Sequence, residues 1–139
     1  MRLGLGQRFS KALQTAKDLH YAMDPLVYTK DELEKQMILL ENHLKQAPSM
    51  DKGFCSECID KHLKCIEGLS EEGTLFAEGP SEREMFLGFA RKARKMRNMS
   101  FSTLSGQQFL EMASTTRDMR KQMKLEDIKG LLKDLIDPR

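Results

Sequence analysis

The side chains of this chain best equipped for chemistry are gathered in one short stretch. All three cysteines and one of the three histidines lie between Cys55 and Cys65, in the order Cys-Ser-Glu-Cys-Ile-Asp-Lys-His-Leu-Lys-Cys. The spacing is C-x2-C-x3-H-x2-C. Thiolate sulfur and neutral imidazole nitrogen are the donors that zinc prefers, and four donors close a structural site. A helix through residues 56–66 limits that count. It sets Cys58 and Cys65 roughly 10 Å apart along its axis, at about 1.5 Å per residue. Two short side chains cannot close that distance onto one ion with Zn–S bonds of about 2.3 Å. Cys58 and His62 stand one turn apart on one face, and Cys55 at the first turn can swing in. The expected zinc set is therefore Cys55, Cys58 and His62. The fourth donor would be Cys65 if the helix bends, His20, His43, a carboxylate, water or another subunit.

Two other chemistries fit the same residues. Steps of three, four and three also describe a helix stripe beside Ile59, Leu63 and Ile66, and free cysteine packs as a small hydrophobe. Alternatively, Cys55 and Cys58 form a redox pair, since a thiol at a helix N-terminus has a lowered pKa. A thioredoxin-like motif requires a neighbouring βαβ unit, and none is legible here.

Elsewhere catalytic signals are missing. Gly4 and Gly6 are not followed by the lysine and hydroxyl of a phosphate loop. There is no paired Glu-x2-His of a di-iron bundle and no Gly-x-Ser-x-Gly elbow. His20 and His43 stand isolated on helical stretches as ordinary histidines. A second constellation is electrostatic. Arg91, Lys92, Arg94, Lys95 and Arg97 make one basic helix face, joined by Arg117, Arg120, Lys121 and Lys124 further on. Such a face suits phosphates, but the aromatic residues that stack on bases are absent apart from Phe101. It equally suits a solvated face balanced by the acidic residues at 67–84.

These groups must be positioned by helices. Residues 1–6 read as an arm, and Gln7–Met23 has one apolar stripe through Phe9, Leu13, Ala16 and Leu19. Asp24-Pro25 ends that helix, with Leu26–Tyr28 as an extended link. Thr29 and Glu32 form a capping box for the next helix, whose stripe is Leu33, Met37, Leu40, Leu44 and Ala47. A third helix starts near Cys55 or Ser56 and reaches about Ser70, with the piece around Leu75-Phe76 as continued helix or turn. Ser81 and Glu84 form a second capping box before a stripe of Met85, Phe86, Phe89, Ala93 and Met96. The last helix runs from about Ser105 to Lys124, with Phe109, Leu110, Met112, Ala113, Met119 and Met123 as its stripe. It flows into an amphipathic segment, residues 125–137, carrying Leu125, Ile128, Leu131, Leu132, Leu135 and Ile136. That segment packs within the domain or binds a partner. No stretch alternates with the period of a strand.

Composition agrees. The chain has 139 residues, with ten Met, seven Phe, two Tyr and no Trp. Few β-branched residues and many Leu, Lys, Glu and Met favour helix. The expectation is a single all-α domain, an irregular bundle of five or six helices. A net charge of +2 argues only weakly for a polyanionic partner, and no apolar run has the length of a membrane span. Three cysteines without a secretory apolar stretch suggest a reducing, intracellular compartment.

Cys55-Ser-Glu-Cys58-Ile-Asp-Lys61-His62-Leu63, followed by Glu67-Gly68-Leu69 and Glu71-Glu72, resembles the C-x2-C-x2-KH-L helical motif of small proteins in phage, archaeal-virus and related microbial genomes. The resemblance covers Cys55 to Glu72 only. It implies a particle or assembly component, virion-associated, and lends weight to the Cys–Cys–His positions. Together these observations point to a non-catalytic structural or adaptor subunit of a larger assembly, with protein partners or copies of itself and a zinc knuckle at Cys55, Cys58 and His62. The rivals are a nucleic-acid-associated protein using Arg91–Arg97, and a thiol or metal enzyme.

Overall fold

Four long α-helices make up most of the computed structural model, which describes residues 14–16, 18, 19, 22, 24–49 and 56–136. They are α1 (Pro25–Gln46), α2 (Ser56–Phe76), α3 (Pro80–Arg97) and α4 (Gly106–Ile136), with 3-10 turns at Ala47–Ser49 and Phe101–Thr103. The protein is an all-α bundle, as the composition and periodicity require. The arm at 1–6 and most of the Gln7–Met23 helix lie outside the described residues. Those described there are helical and exposed.

Helix starts follow local chemistry, and two differ from the sequence expectation. α1 begins at Pro25, so Leu26–Tyr28 is helix and not an extended link. Asp24 Oδ1 accepts from the Val27 N–H at 3.2 Å, and proline at the first helical position carries a φ already suited to helix. That stronger start displaces the Thr29–Glu32 capping box. Thr29 instead sits in the second turn, fully buried, with no partner for its Oγ1 among the described residues. α3 likewise begins at Pro80, ahead of Ser81. Here Glu82 reaches back to accept from the Glu78 N–H at 3.0 Å. A reciprocal capping box does occur at α4. The Gln108 N–H donates to Ser105 Oγ at 3.2 Å, and the Ser105 N–H donates to Gln108 Oε1 at 2.8 Å.

α2 continues unbroken through Leu75 to Phe76. Gly73 explains how α2 and α3 approach so closely. A Cβ there would lie 2.6 Å from Phe86 Cδ1, so only glycine leaves room for the ring. Phe86 and Phe89 meet edge to face, with centroids 6.4 Å apart, a favoured aromatic geometry.

The α1 stripe Leu33, Met37, Leu40 and Leu44 is fully buried, and so are Phe86, Phe89 and Ala93 of α3. Met37, Met85, Met96, Met112, Met119 and Met123 fill the core, where flexible thioethers fit irregular gaps. α1 packs against both α2 and α4, α2 packs also against α3, and α3 makes a smaller contact with α4. Ion pairs set the α1–α4 register as antiparallel. Glu41 lies beside Arg117 and Arg120, Glu34 beside Lys124, and Lys30 beside Asp127.

Candidate functional site

The cysteine-histidine stretch is carried on the first turns of α2. Its central stripe, Ile59, Leu63 and Ile66, is buried, while Cys58, His62 and Cys65 on the neighbouring flank are half-buried. His62 Nδ1 lies 2.7 Å from Gln36 Oε1 of α1. A carbonyl oxygen accepts, so this contact places the proton on Nδ1 and leaves Nε2 as the basic nitrogen. The His43 ring stands 5.1 Å from that of His62. Burial pushes the His62 pKa down, and the charges of His43 and Lys61 push it further the same way. Sequence reasoning left His43 isolated. The signal that pairs it with His62 is tertiary: an antiparallel α1–α2 packing brings their faces together.

The zinc donors do not assemble among the described residues. Cys58 is disulfide-bonded. Cys65 is a half-buried free thiol. α2 is unbroken between them, so Cys65 lies two turns away, as the helix geometry requires. Cys55 lies outside the described residues. No three His, Cys, Asp or Glu side chains among the described residues meet as metal ligands.

The basic face of α3 is split by its neighbours. Arg97 binds Glu67 at 2.8 Å and Asp60 at 3.4 Å. Arg94 binds Glu67 at 3.1 Å and Glu71 at 3.2 Å. The hydrogen bond from Arg97 holds the Glu67 carboxyl below its ordinary range, with Arg94 adding to it against the opposing effect of burial. Two of the five cations are thus clamps between α3 and α2. Arg91, Lys92 and Lys95 are exposed, and the last two rim a shallow cleft with Met96, Met99 and Met112. On α4, Arg117 and Arg120 converge on Glu41, which is 3% exposed. Burial opposes the Glu41 charge, but Lys45 and Arg120 outweigh it and hold the carboxyl below its usual range.

The third candidate is the C-terminal part of α4. Leu125, Ile128, Leu131, Leu132, Leu135 and Ile136 are all exposed, from 50% at Ile128 to 82% at Ile136. The cause is a change of face within one continuous helix. Phe109, Met112, Ala113, Thr116, Met119 and Met123 turn toward the core. That same face continues as Glu126, Asp127, Gly130 and Asp134, which together with Leu131 line a groove against α1 and α3. At 3.6 residues per turn, Leu125, Ile128, Leu132, Leu135 and Ile136 lie roughly 105–210° round the helix from the core face, and Leu131, at about 70°, borders the groove. Lys30 ties the acidic side of this segment to the bundle. Its Nζ lies 2.7 Å from Glu82 of α3 and 2.7 Å from Asp127 of α4. Burial opposes the Lys30 charge, but the two carboxylates outweigh it and raise its pKa.

Among the described residues no helix is long and apolar enough to cross a membrane. No protein-family model, curated protein or solved structure matches the chain.

Proposed function

We propose that this protein is a non-catalytic structural or adaptor subunit of a larger assembly, and that the C-terminal part of α4 is its docking element. One observation carries this reading: the apolar residues from Leu125 to Ile136 are all at least half exposed, while the opposite, acidic side of the segment is ion-paired to Lys30. Contiguous exposed apolar surface of this kind marks interaction sites in soluble proteins. A helix presenting residues at steps of three and four is a standard form for helix-in-groove or helix-pair recognition. The charged groups that sequence patterning offered to phosphates serve internal roles at Arg94, Arg97, Arg117 and Arg120.

A photo-cross-linking side chain at Leu132 of the full chain, expressed in cells that make the protein naturally, tests this. A discrete protein adduct at position 132, absent from a control at the exposed Glu84, is the expected result. Equal labelling at both positions, or none, removes the docking reading.

A further inference from the structure

The exposed face of α4 carries the pattern of one half of a helix pair. Leu125, Ile128, Leu132 and Leu135 follow steps of three, four and three, the a and d positions of a coiled-coil seam. Leu131 and Ile136 widen that seam on either side. We propose that the occupant of this face is a second copy of this chain, packed antiparallel against it; this inference rests on the docking reading above.

Area and charge support that choice. Buried in full, the six side chains would remove on the order of 700 Å² per copy, close to the roughly 800 Å² per partner of a standard interface. The face is self-complementary, as a two-fold interface must be. An antiparallel pair sets Leu125 against Leu135 and Ile128 against Leu132, and repeats both contacts by symmetry. Flanking charge selects the direction. In a parallel pair, Lys124 of one copy would face Lys129 of the other, twice over, and like charges at these positions oppose pairing. In the antiparallel pair Lys124 flanks Leu131 and Lys129 flanks Ile136, where a lysine stem lies along apolar surface with its ammonium in water. The acidic side of the helix stays clear of the pair, because Asp127 is engaged by Lys30 on the bundle side.

Sedimentation equilibrium of the full chain at micromolar to hundred-micromolar concentration tests the proposal. A monomer–dimer equilibrium is expected, weakened at least about a hundredfold by Leu132→Lys. Circular dichroism should show that this variant keeps its helices, since Leu132 is 52% exposed. Lys129→Glu should change the dimer constant by less than about twofold in the antiparallel pair, whereas a parallel pair would tighten about tenfold or more. A monomer at every concentration, as would follow if residues 1–23 or another protein covered the stripe, overturns the proposal. So does a dimer indifferent to Leu132→Lys, or one strengthened by Lys129→Glu. The mass of the cross-linked adduct at position 132 separates the two levels: an adduct with a different protein leaves the docking reading standing and removes the second copy.

Discussion

The two parts of α4 share one backbone helix and obey opposite rules. From Phe109 to Met123 the apolar side chains other than Leu110, which is 45% exposed, turn inward and are nearly inaccessible, with Met119 at 1%. From Leu125 to Ile136 they turn outward, while glutamate and aspartate occupy the inward face. Hydrogen bonding within a helix is indifferent to which face is apolar, so the helix runs through the change without a break. What changes is the partner. The first part is completed by α1, and the second has an ion pair to α1 and an exposed apolar face. A helix can therefore be structural at one end and a connector at the other.

Substitution should separate the two parts, and the largest contrast lies in the apolar residues themselves. Met119→Ala should lower the unfolding free energy of the monomer by about 2–5 kcal/mol, because it opens a cavity in the core. Leu132→Ala should stay within about 0.5 kcal/mol under monomeric conditions, as expected for a surface change. Urea unfolding of both variants at low protein concentration makes the comparison, and equal losses would mean that the outer stripe belongs to the core after all.

The next effect concerns the charges that join α4 to α1. Glu41 is buried under Lys45, Arg117 and Arg120, and its carboxyl is held below its usual range. Its folded pKa lies under the unfolded one, so its contribution to stability is complete above about pH 4.5. That contribution is lost as the pH falls through the folded value. Glu41→Gln should lower stability at pH 7 by about 1–3 kcal/mol, through hydrogen bonds to charged groups that it weakens. It should also flatten the decline between pH 5 and acid, as read by thermal melts across that range. A variant with an unchanged acid slope would assign the acid sensitivity elsewhere.

Smallest is the effect of the clamp on the acidic side of the outer part. Lys30→Met should cost about 1–2 kcal/mol, because it leaves the buried Glu82 carboxylate without its cation. Trypsin should then cleave faster after Lys129 and Lys133, while core cleavage stays unchanged. No change at either lysine would show that the outer part is held to the bundle by something other than Lys30.

The sequence made the helical architecture legible because the buried stripes of α1 and α3 repeat at helical spacing with few interruptions. Leu33 to Leu44 and Met85 to Met96 are buried as their periodicity requires. Helix starts were less legible. Thr29-x2-Glu32 and Ser81-x2-Glu84 satisfy the capping-box pattern, yet a proline four residues or one residue earlier opens each helix first. The phase change after Met123 was present in the sequence as two stripes. Only the placement of α1 shows that the second one faces outward. The basic face of α3 illustrates the converse. Its clustering is visible in sequence, but the carboxylates of Asp60, Glu67 and Glu71 that occupy Arg94 and Arg97 come from another helix. In the cysteine stretch, the separation of Cys58 from Cys65 followed from helix rise alone. The contacts of His62 with Gln36 and His43 depend on tertiary packing, which spacing does not encode.

The most direct measurement is hydrogen exchange of the α4 backbone amides as a function of protein concentration. If the outer face pairs with a second copy, protection of residues 125–136 rises with concentration while that of residues 109–123 stays constant. Protection of residues 125–136 that is the same at every concentration contradicts the account.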